Sequence, residues 1–224
     1  MSTFAAKETK TNKEAGRTAS KEVRRRQLID ATIESISKNG MSGTTMTTVT
    51  GFAGLSLGIV NFHFDSKENL YRETLKFLAE EHRDQWKQDC LMAAQDPAAQ
   101  LLAIVDAEFH PNLCNRKKLT VWYAFYGEAA YRKHYRQIMS EIDSERWNKS
   151  RDLCRQIVED GNYDSVDPDG VAKTLEGFFD GFCLNILIYP DDFTREDGKR
   201  QVREYLAATF PKHFARPNSK DREG

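Results

Sequence analysis

From Leu28 to Phe210 the apolar residues of this 224-residue chain recur at helical spacing, and no stretch alternates with the two-residue period of a strand. The chain is therefore expected to be all-α. Leu28, Ile29, Thr32, Ile33 and Ile36 share one face of a first helix that Asn39-Gly40 stops. A short second helix follows a cap at Thr44 or Thr45 and ends near Gly54, and Ser56 is expected to cap a third reaching about His63. Asp65-Ser66 opens a long helix with Leu70, Leu75, Leu78, His82 and Trp86 along one stripe. Asp96-Pro97 and Asp167-Pro168 each join an N-cap to a proline at the first helical position. Between them, helices are expected over roughly 116–130 and 132–160, the latter closed by Gly161. Pro190 ends the helix carrying Phe178, Phe179, Phe182 and Ile186, and Thr194 with Asp197 resembles a capping box for a last helix up to Phe210.

Hydrophobic residues are 39% and charged residues 30% of the chain, a balance that suits a globular protein with much exposed helix. The longest apolar run, Phe182 to Tyr189, is too short to span a bilayer, and the polar, basic first residues lack the apolar core of a signal peptide. No membrane partner and a cytoplasmic location are expected. The net charge of −1 is unevenly placed, with +3 over residues 1–70 and −4 over the rest. A basic head on an acidic body suits a polyanion bound by the head alone. Cys90, Cys114, Cys154 and Cys183 form no CxxC pair, which argues against a zinc knuckle or a disulfide framework, and Pro111 breaks the helix that would align His110 with Cys114. Neither metal nor cofactor is expected.

Residues 44–64 read TTMTTVTGFAGLSLGIVNFHF. Two short helices joined by a tight Ala53-Gly54-Leu55-Ser56 turn meet the needs of a helix-turn-helix, since glycine lets the chain reverse and serine can cap the reading helix. Met46, Val49, Leu55 and Val60 have the spacing to clamp the pair, which leaves Thr44, Thr45, Thr47, Thr48, Leu57, Gly58, Ile59, Asn61 and His63 nearer the outside. The Ser56-x-Gly58 start, the Phe62-His63-Phe64 run and Ser66-Lys67-x-x-Leu70 resemble the TetR family of repressors. The segments RRRQLIDATIESI at 24–36, LLAIVDAEF at 101–109 and VWYAFYGEA at 121–129 are similar to its BetI branch, the choline-responsive repressors of glycine betaine synthesis.

Residues 1–20, rich in Lys, Thr, Ser and Ala without periodic apolar positions, are expected to be a disordered basic arm, followed by a helix-turn-helix domain at 21–66, a helical ligand-binding and dimerisation domain at 67–214 and a polar tail at 215–224. The resemblance implies a homodimer, joined through the last two long helices, whose two reading heads meet a palindromic double-stranded operator at roughly 34–36 Å spacing. Gly58 would let the reading helix approach the groove, and Leu57 and Ile59 would touch thymine methyl groups. Thr45, Thr47 and Lys67 suit phosphates. The family often carries tyrosine where this chain has Asn61, so an adenine edge is the alternative partner there. Arg24, Arg25 and Arg26 either enter the minor groove or form a solvated helix end.

The effector implied is choline or a related quaternary ammonium, held by aromatic faces and a carboxylate. Trp122, Phe125 and Tyr126 lie on helical spacing, Trp86 could complete a wall, and Asp180 could supply the charge or instead bond a neighbouring helix. An unrelated hydrophobic effector is the rival within the family. A helical-bundle enzyme is the rival outside it, but such an enzyme needs paired Glu-x-x-His motifs, and Glu80, Glu81 and His82 are adjacent instead.

Overall fold

The computed structural model describes residues 3–130 and 132–215, with side chains from Lys21 onward. Among the described residues there are nine helices and no strand: α1 (Thr3–Gly43), α2 (Met46–Ala53), α3 (Leu57–His63), α4 (Lys67–Met92), α5 (Pro97–Glu108), α6 (Arg116–Ala129), α7 (Lys133–Gly161), α8 (Pro168–Ile188) and α9 (Arg195–Thr209). The chain forms two compact units, Met1–Thr74 and Leu75–Gly224, and the division falls within the range of α4. The expected arm at 1–20 lies where side chains fall outside the described residues, although α1 is drawn from Thr3. The expected tail lies outside them beyond Ala215.

In the first unit, α1 packs on α2 and α2 on α3. Asn39-Gly40 interrupts α1 as its sequence demands: Gly40 has φ 69° and ψ 176°, so the regular helix stops there. Leu28, Ile36, Val49, Val60, Phe64 and Leu70 are completely buried. Each such aliphatic or aromatic side chain stabilises the fold by about 1.5–3 kcal/mol relative to an exposed one.

In the second unit, α7 packs against α5, α6 and α8, while α9 packs against α5 and α8. Leu101, Phe109, Leu153, Ile157, Leu175, Phe179, Leu206 and Phe210 belong to its apolar core. The helix starts follow their caps. Asp96 accepts from the Ala99 amide at 2.7 Å, Asn115 accepts from the Lys118 amide at 3.1 Å, and Thr194 with Asp197 closes a full capping box. The end of α7 differs from expectation. Asn162, with φ 51°, takes the left-handed capping position, while Gly161 is the last helical residue and is buried. A Cβ on Gly161 would lie 2.1 Å from Tyr163 Cε2, so glycine is needed there for close approach of the ring and not for the turn. None of the helices, among the described residues, is long and apolar enough to cross a membrane.

Candidate functional site

The first unit presents α3 on a braced support. Thr45 has extended backbone, its hydroxyl accepts from the Thr48 amide at 3.1 Å, and the Thr48 hydroxyl accepts from the Thr45 amide at 2.8 Å. Gly54, with φ 63° and ψ 32°, turns the chain between α2 and α3 in a conformation that costs other residues. The Gln27 side-chain amide donates to the Ala53 carbonyl at 2.7 Å, and the Tyr71 hydroxyl lies 3.1 Å and 3.2 Å from the Met41 and Thr44 carbonyls. With α2 and its turn fixed in this way, α3 buries Val60 and leaves Leu57, Gly58, Asn61 and Phe62 exposed. A Cβ on Gly58 would meet only Ser56 Oγ, at 3.9 Å, so the surface beside it is open.

Several residues expected on this outer face are committed elsewhere. Thr44 is completely buried, its hydroxyl donating to the Gly40 carbonyl at 2.9 Å and lying 3.0 Å from Ser35 Oγ. That corrects its assignment to the DNA-facing set: the segment before the Thr45 cap folds back onto α1, and the side chain goes with it. Thr48 spends its hydroxyl on the capping box and on Ser35. Arg25 pairs with Glu73 and lies 4.7 Å over the Phe64 ring, which ties it into its own unit. Ser56 sits at the N-cap position of α3 with extended backbone, but its side chain makes no capping bond. His63 is half-buried, its Nδ1 buried without a hydrogen-bond partner, and desolvation, then the charges of Lys21 and Arg25, hold its pKa below the usual histidine value. Phe62 is the outward aromatic, 72% exposed, a role that the sequence pattern did not assign. Arg24, Arg26, Thr45 and Thr47 remain exposed, Arg24 bonding Gln27 and Arg26 pairing with Asp30 at 2.9 Å.

The second unit holds a cleft whose walls come from five helices. From α6, Trp122, Tyr123 and Tyr126 supply aromatic surface: the Trp122 and Tyr126 ring centroids are 6.3 Å apart and those of Tyr123 and Tyr126 are 5.7 Å apart. The Tyr123 hydroxyl donates to the Asp180 carbonyl at 2.7 Å, which anchors α6 to α8. His82 from α4, Glu108 from α5 and Arg146 from α7 meet inside. His82 Nε2 lies 2.8 Å from Glu108 Oε2, and Arg146 Nη1 donates to the same oxygen at 3.1 Å. Arg146 Nε donates to Glu176 Oε1 at 3.1 Å, its Nη2 also bonds Glu176, and Asp143 is 3.8 Å away.

Burial alone would raise the Glu108 pKa, but His82 and Arg146 outweigh it and hold the carboxyl at about 2. Asp180 behaves in the opposite sense. Desolvation in the cleft, reinforced by Asp143, Glu108 and Glu176 against the pull of Arg146, pushes it up to about 6. Asp143 is raised by the same cause. Even with His82 counted as a cation, the carboxylates of Glu108, Asp143, Glu176 and Asp180 outnumber the two positive groups. The site is therefore anionic and aromatic. Cys183 in its wall is buried, and a hydrogen bond with Cys114, then burial, raise its thiol.

Residues 28–74 match the model of bacterial regulatory proteins of the tetR family, and residues 97–211 match that of the BetI-type transcriptional repressor C-terminal domain. The HTH-type transcriptional regulator BetI of Burkholderia thailandensis is 34% identical over 192 residues, covering 83% of this chain and 93% of that protein. This chain belongs to the TetR family, with a BetI-type C-terminal domain. It is accordingly a DNA-binding transcriptional repressor, and its relatives are regulators, not enzymes. Two solved structures share the fold. A protein of Pseudomonas aeruginosa aligns with TM-score 0.75 and 23% identity over 87% of this chain and 95% of its own. One of Saccharomonospora viridis, solved in complex with choline, aligns with TM-score 0.70 and 18% identity over 81% of this chain and 94% of its own.

Of the effector residues expected in this BetI-type repressor, the cleft brings together Trp122, Tyr126 and Asp180. Phe125 does not join them: it is completely buried and packs edge-to-face on Tyr135 at 5.3 Å. Trp86 does not either, since it lies one turn beyond His82 in the apolar core with only 4% of its surface exposed. The residues missed were Tyr123, His82, Glu108, Asp143 and Arg146, and all of them line the cleft.

Proposed function

We propose that this TetR-family repressor is released from its operator by choline or a closely related quaternary ammonium, and so controls genes of choline and glycine betaine metabolism. The observation that carries this reading is the pairing of three aromatic side chains with an excess of carboxylates in one cleft. A quaternary ammonium donates no strong hydrogen bond, so its affinity comes from ring faces and negative charge in a partly desolvated site. Phe179 contributes less to such a cage than its position suggests, because the Arg146 guanidinium already lies 5.5 Å over its ring. Trp122, Tyr123 and Tyr126 are left to receive the cation. The choline in the Saccharomonospora viridis protein supports the same reading by analogy of fold.

On DNA, the exposed Leu57, Gly58 and Asn61 with half-buried Ile59 read the major groove, while Thr45, Thr47, Lys67, Arg24 and Arg26 meet phosphates. A second copy docks on the C-terminal helices, where Leu184 and Ile188 of α8 are exposed in the single chain. Release then requires that the effector bind the DNA-incompetent state more tightly, because a ligand of equal affinity shifts nothing. Calorimetry decides the effector class. Choline should bind and 3,3-dimethylbutan-1-ol, with carbon in place of the ammonium nitrogen, should bind at least tenfold more weakly. Equal affinities would refute the cationic effector, and choline binding without loss of operator affinity would refute its role as inducer.

A further inference from the structure

The cleft contains one guanidinium, and a carboxylated ligand would need it. Its donors are already assigned. Nε and Nη2 face the two oxygens of Glu176 in a fork-to-fork pair, Nη1 faces Glu108, and Asp143 is 3.8 Å from Nη2. Only 6% of the Arg146 side chain is exposed, and the Glu176 carboxylate, from α8, covers its Nε and Nη2 edge. The Asp180 carboxylate, by contrast, has neither a hydrogen bond nor an ion pair among the described residues. The cleft thus offers an incoming molecule unpaired negative charge and no unpaired positive charge.

We infer that Glu176 is a specificity-determining residue of this repressor: by occupying the Arg146 fork it makes the cleft accept a cation with a neutral far end and reject the zwitterion that carries the same ammonium group plus a carboxylate. The inference rests on the quaternary ammonium reading above. A carboxylate entering the cleft meets Glu108, Asp143 and Asp180 with no uncommitted cationic donor to receive it, and desolvating an anion without a counter-charge there is costly. With the fork vacated, Arg146 presents the planar donor pair that carboxylates bind best. Glu176 acts through Arg146 and touches no ligand, so it is a positioning residue. The consequence is chemical: oxidising the alcohol of an amino alcohol effector to an acid switches its binding off without any change at the ammonium end.

The test is calorimetric titration of the full chain and its variants with choline and with N,N,N-trimethylglycine. The unsubstituted protein should favour choline at least tenfold. Glu176→Gln, isosteric but uncharged, should narrow that ratio at least fivefold, chiefly by gaining affinity for the zwitterion. Glu176→Asp keeps the charge but is too short to hold both donors, so it should narrow the ratio in the same direction, and it decides the matter if the Gln variant does not fold. Circular dichroism of each variant must match that of the unsubstituted chain. A ratio unmoved in both folded variants overturns the role of Glu176, as does a shift in Gln alone, which would make net charge the cause. Failure of the unsubstituted protein to bind choline at all would instead remove the quaternary ammonium reading and this inference with it.

Discussion

Replacing Trp122 by alanine tests the cage at the ring whose contribution can be bounded most closely. Trp122 is half-buried in the cleft wall, so a cation beside it is partly, not fully, desolvated. A cation over an aromatic face gains about 0.5–1 kcal/mol at exposed sites and about 2 or more when desolvated, which places Trp122 near 1–2 kcal/mol. Converted to affinity, that is a loss of roughly five- to thirtyfold in choline binding. Tyr126, 6.3 Å from Trp122, and Tyr123 beyond it remain, so binding should weaken and not vanish. Trp122→Phe retains a ring face and should lose less. Because Trp122 is not in the core, its truncation should destabilise the fold by less than the about 3–5 kcal/mol typical of a fully buried tryptophan. Titration calorimetry on protein shown by thermal melts to remain folded at the assay temperature supplies the numbers. The reasoning is refuted if Trp122→Ala leaves choline affinity unchanged, or if it weakens the neutral isostere by the same factor.

The placement of Thr44 and Thr47 separates structure from recognition: Thr44→Val should lower stability by about 1 kcal/mol through lost buried hydrogen bonds, whereas Thr47→Val should leave melting unchanged and weaken operator binding in a gel shift. If Thr47→Val binds operator normally, that residue leaves the phosphate-contacting set. Gly58→Trp fills the open surface of α3 and should abolish operator binding while dimerisation, followed by ultracentrifugation, persists; retained binding would exclude Gly58 from the interface. Choline affinity should fall as the pH drops through about 6, since protonation of Asp180 removes attraction, and by pH 5 the loss should reach up to about tenfold. Asp143, raised by the same burial, acts with the same sign, and Asp180→Asn should flatten most of the profile. Stability tracks the opposite shift at Glu108: this carboxyl is depressed, so its contribution is complete above the unfolded value of 4.5 and is lost as the pH falls through about 2. Denaturant titrations between those limits should show a decline that Glu108→Gln reduces.

Much of what depends on residues within one or two turns was legible in the sequence, the missing side-chain cap at Ser56 being an exception. The stop at Gly40, the cap at Thr45, the turn at Gly54, the Asp96-Pro97 start and the Thr194–Asp197 box each act locally, and each stands where its chemistry put it. Errors arose where the packing of a neighbouring side chain decided the outcome. Thr44 reads as an exposed polar residue until Ser35, nine positions earlier, claims its hydroxyl. Gly161 reads as a helix stop until Tyr163 folds against it and Asn162 takes the turn. Within α6, Trp122 and Tyr126 lie on one face, whereas Phe125 is about 100° round the helix from Tyr126 and points into the core. Helical spacing brings rings to neighbouring faces, and burial alone decides which of those faces lines a cleft.

The charged half of the cleft was the hardest to read, and the reason is physical. Glu108, Arg146 and Glu176 come from three helices and have no local pattern in common. A signal was nevertheless present on α7, where Ile138, Met139, Ile142, Arg146, Ser150 and Leu153 follow one buried stripe that a guanidinium interrupts. On α4 the apolar stripe is likewise interrupted by His82 between Leu78 and Trp86. A guanidinium on an apolar stripe costs several kcal/mol in desolvation unless anions meet it, so the interruption at Arg146 implies carboxylates arriving from elsewhere in the fold. Arg146 is met by Glu108 and Glu176, with Asp143 3.8 Å away, and the cleft then carries Asp180 beyond that set. Asp180 is not explained by the need to neutralise Arg146. Its charge, beside aromatic faces that a bare carboxylate would not favour, is what a cationic ligand would neutralise.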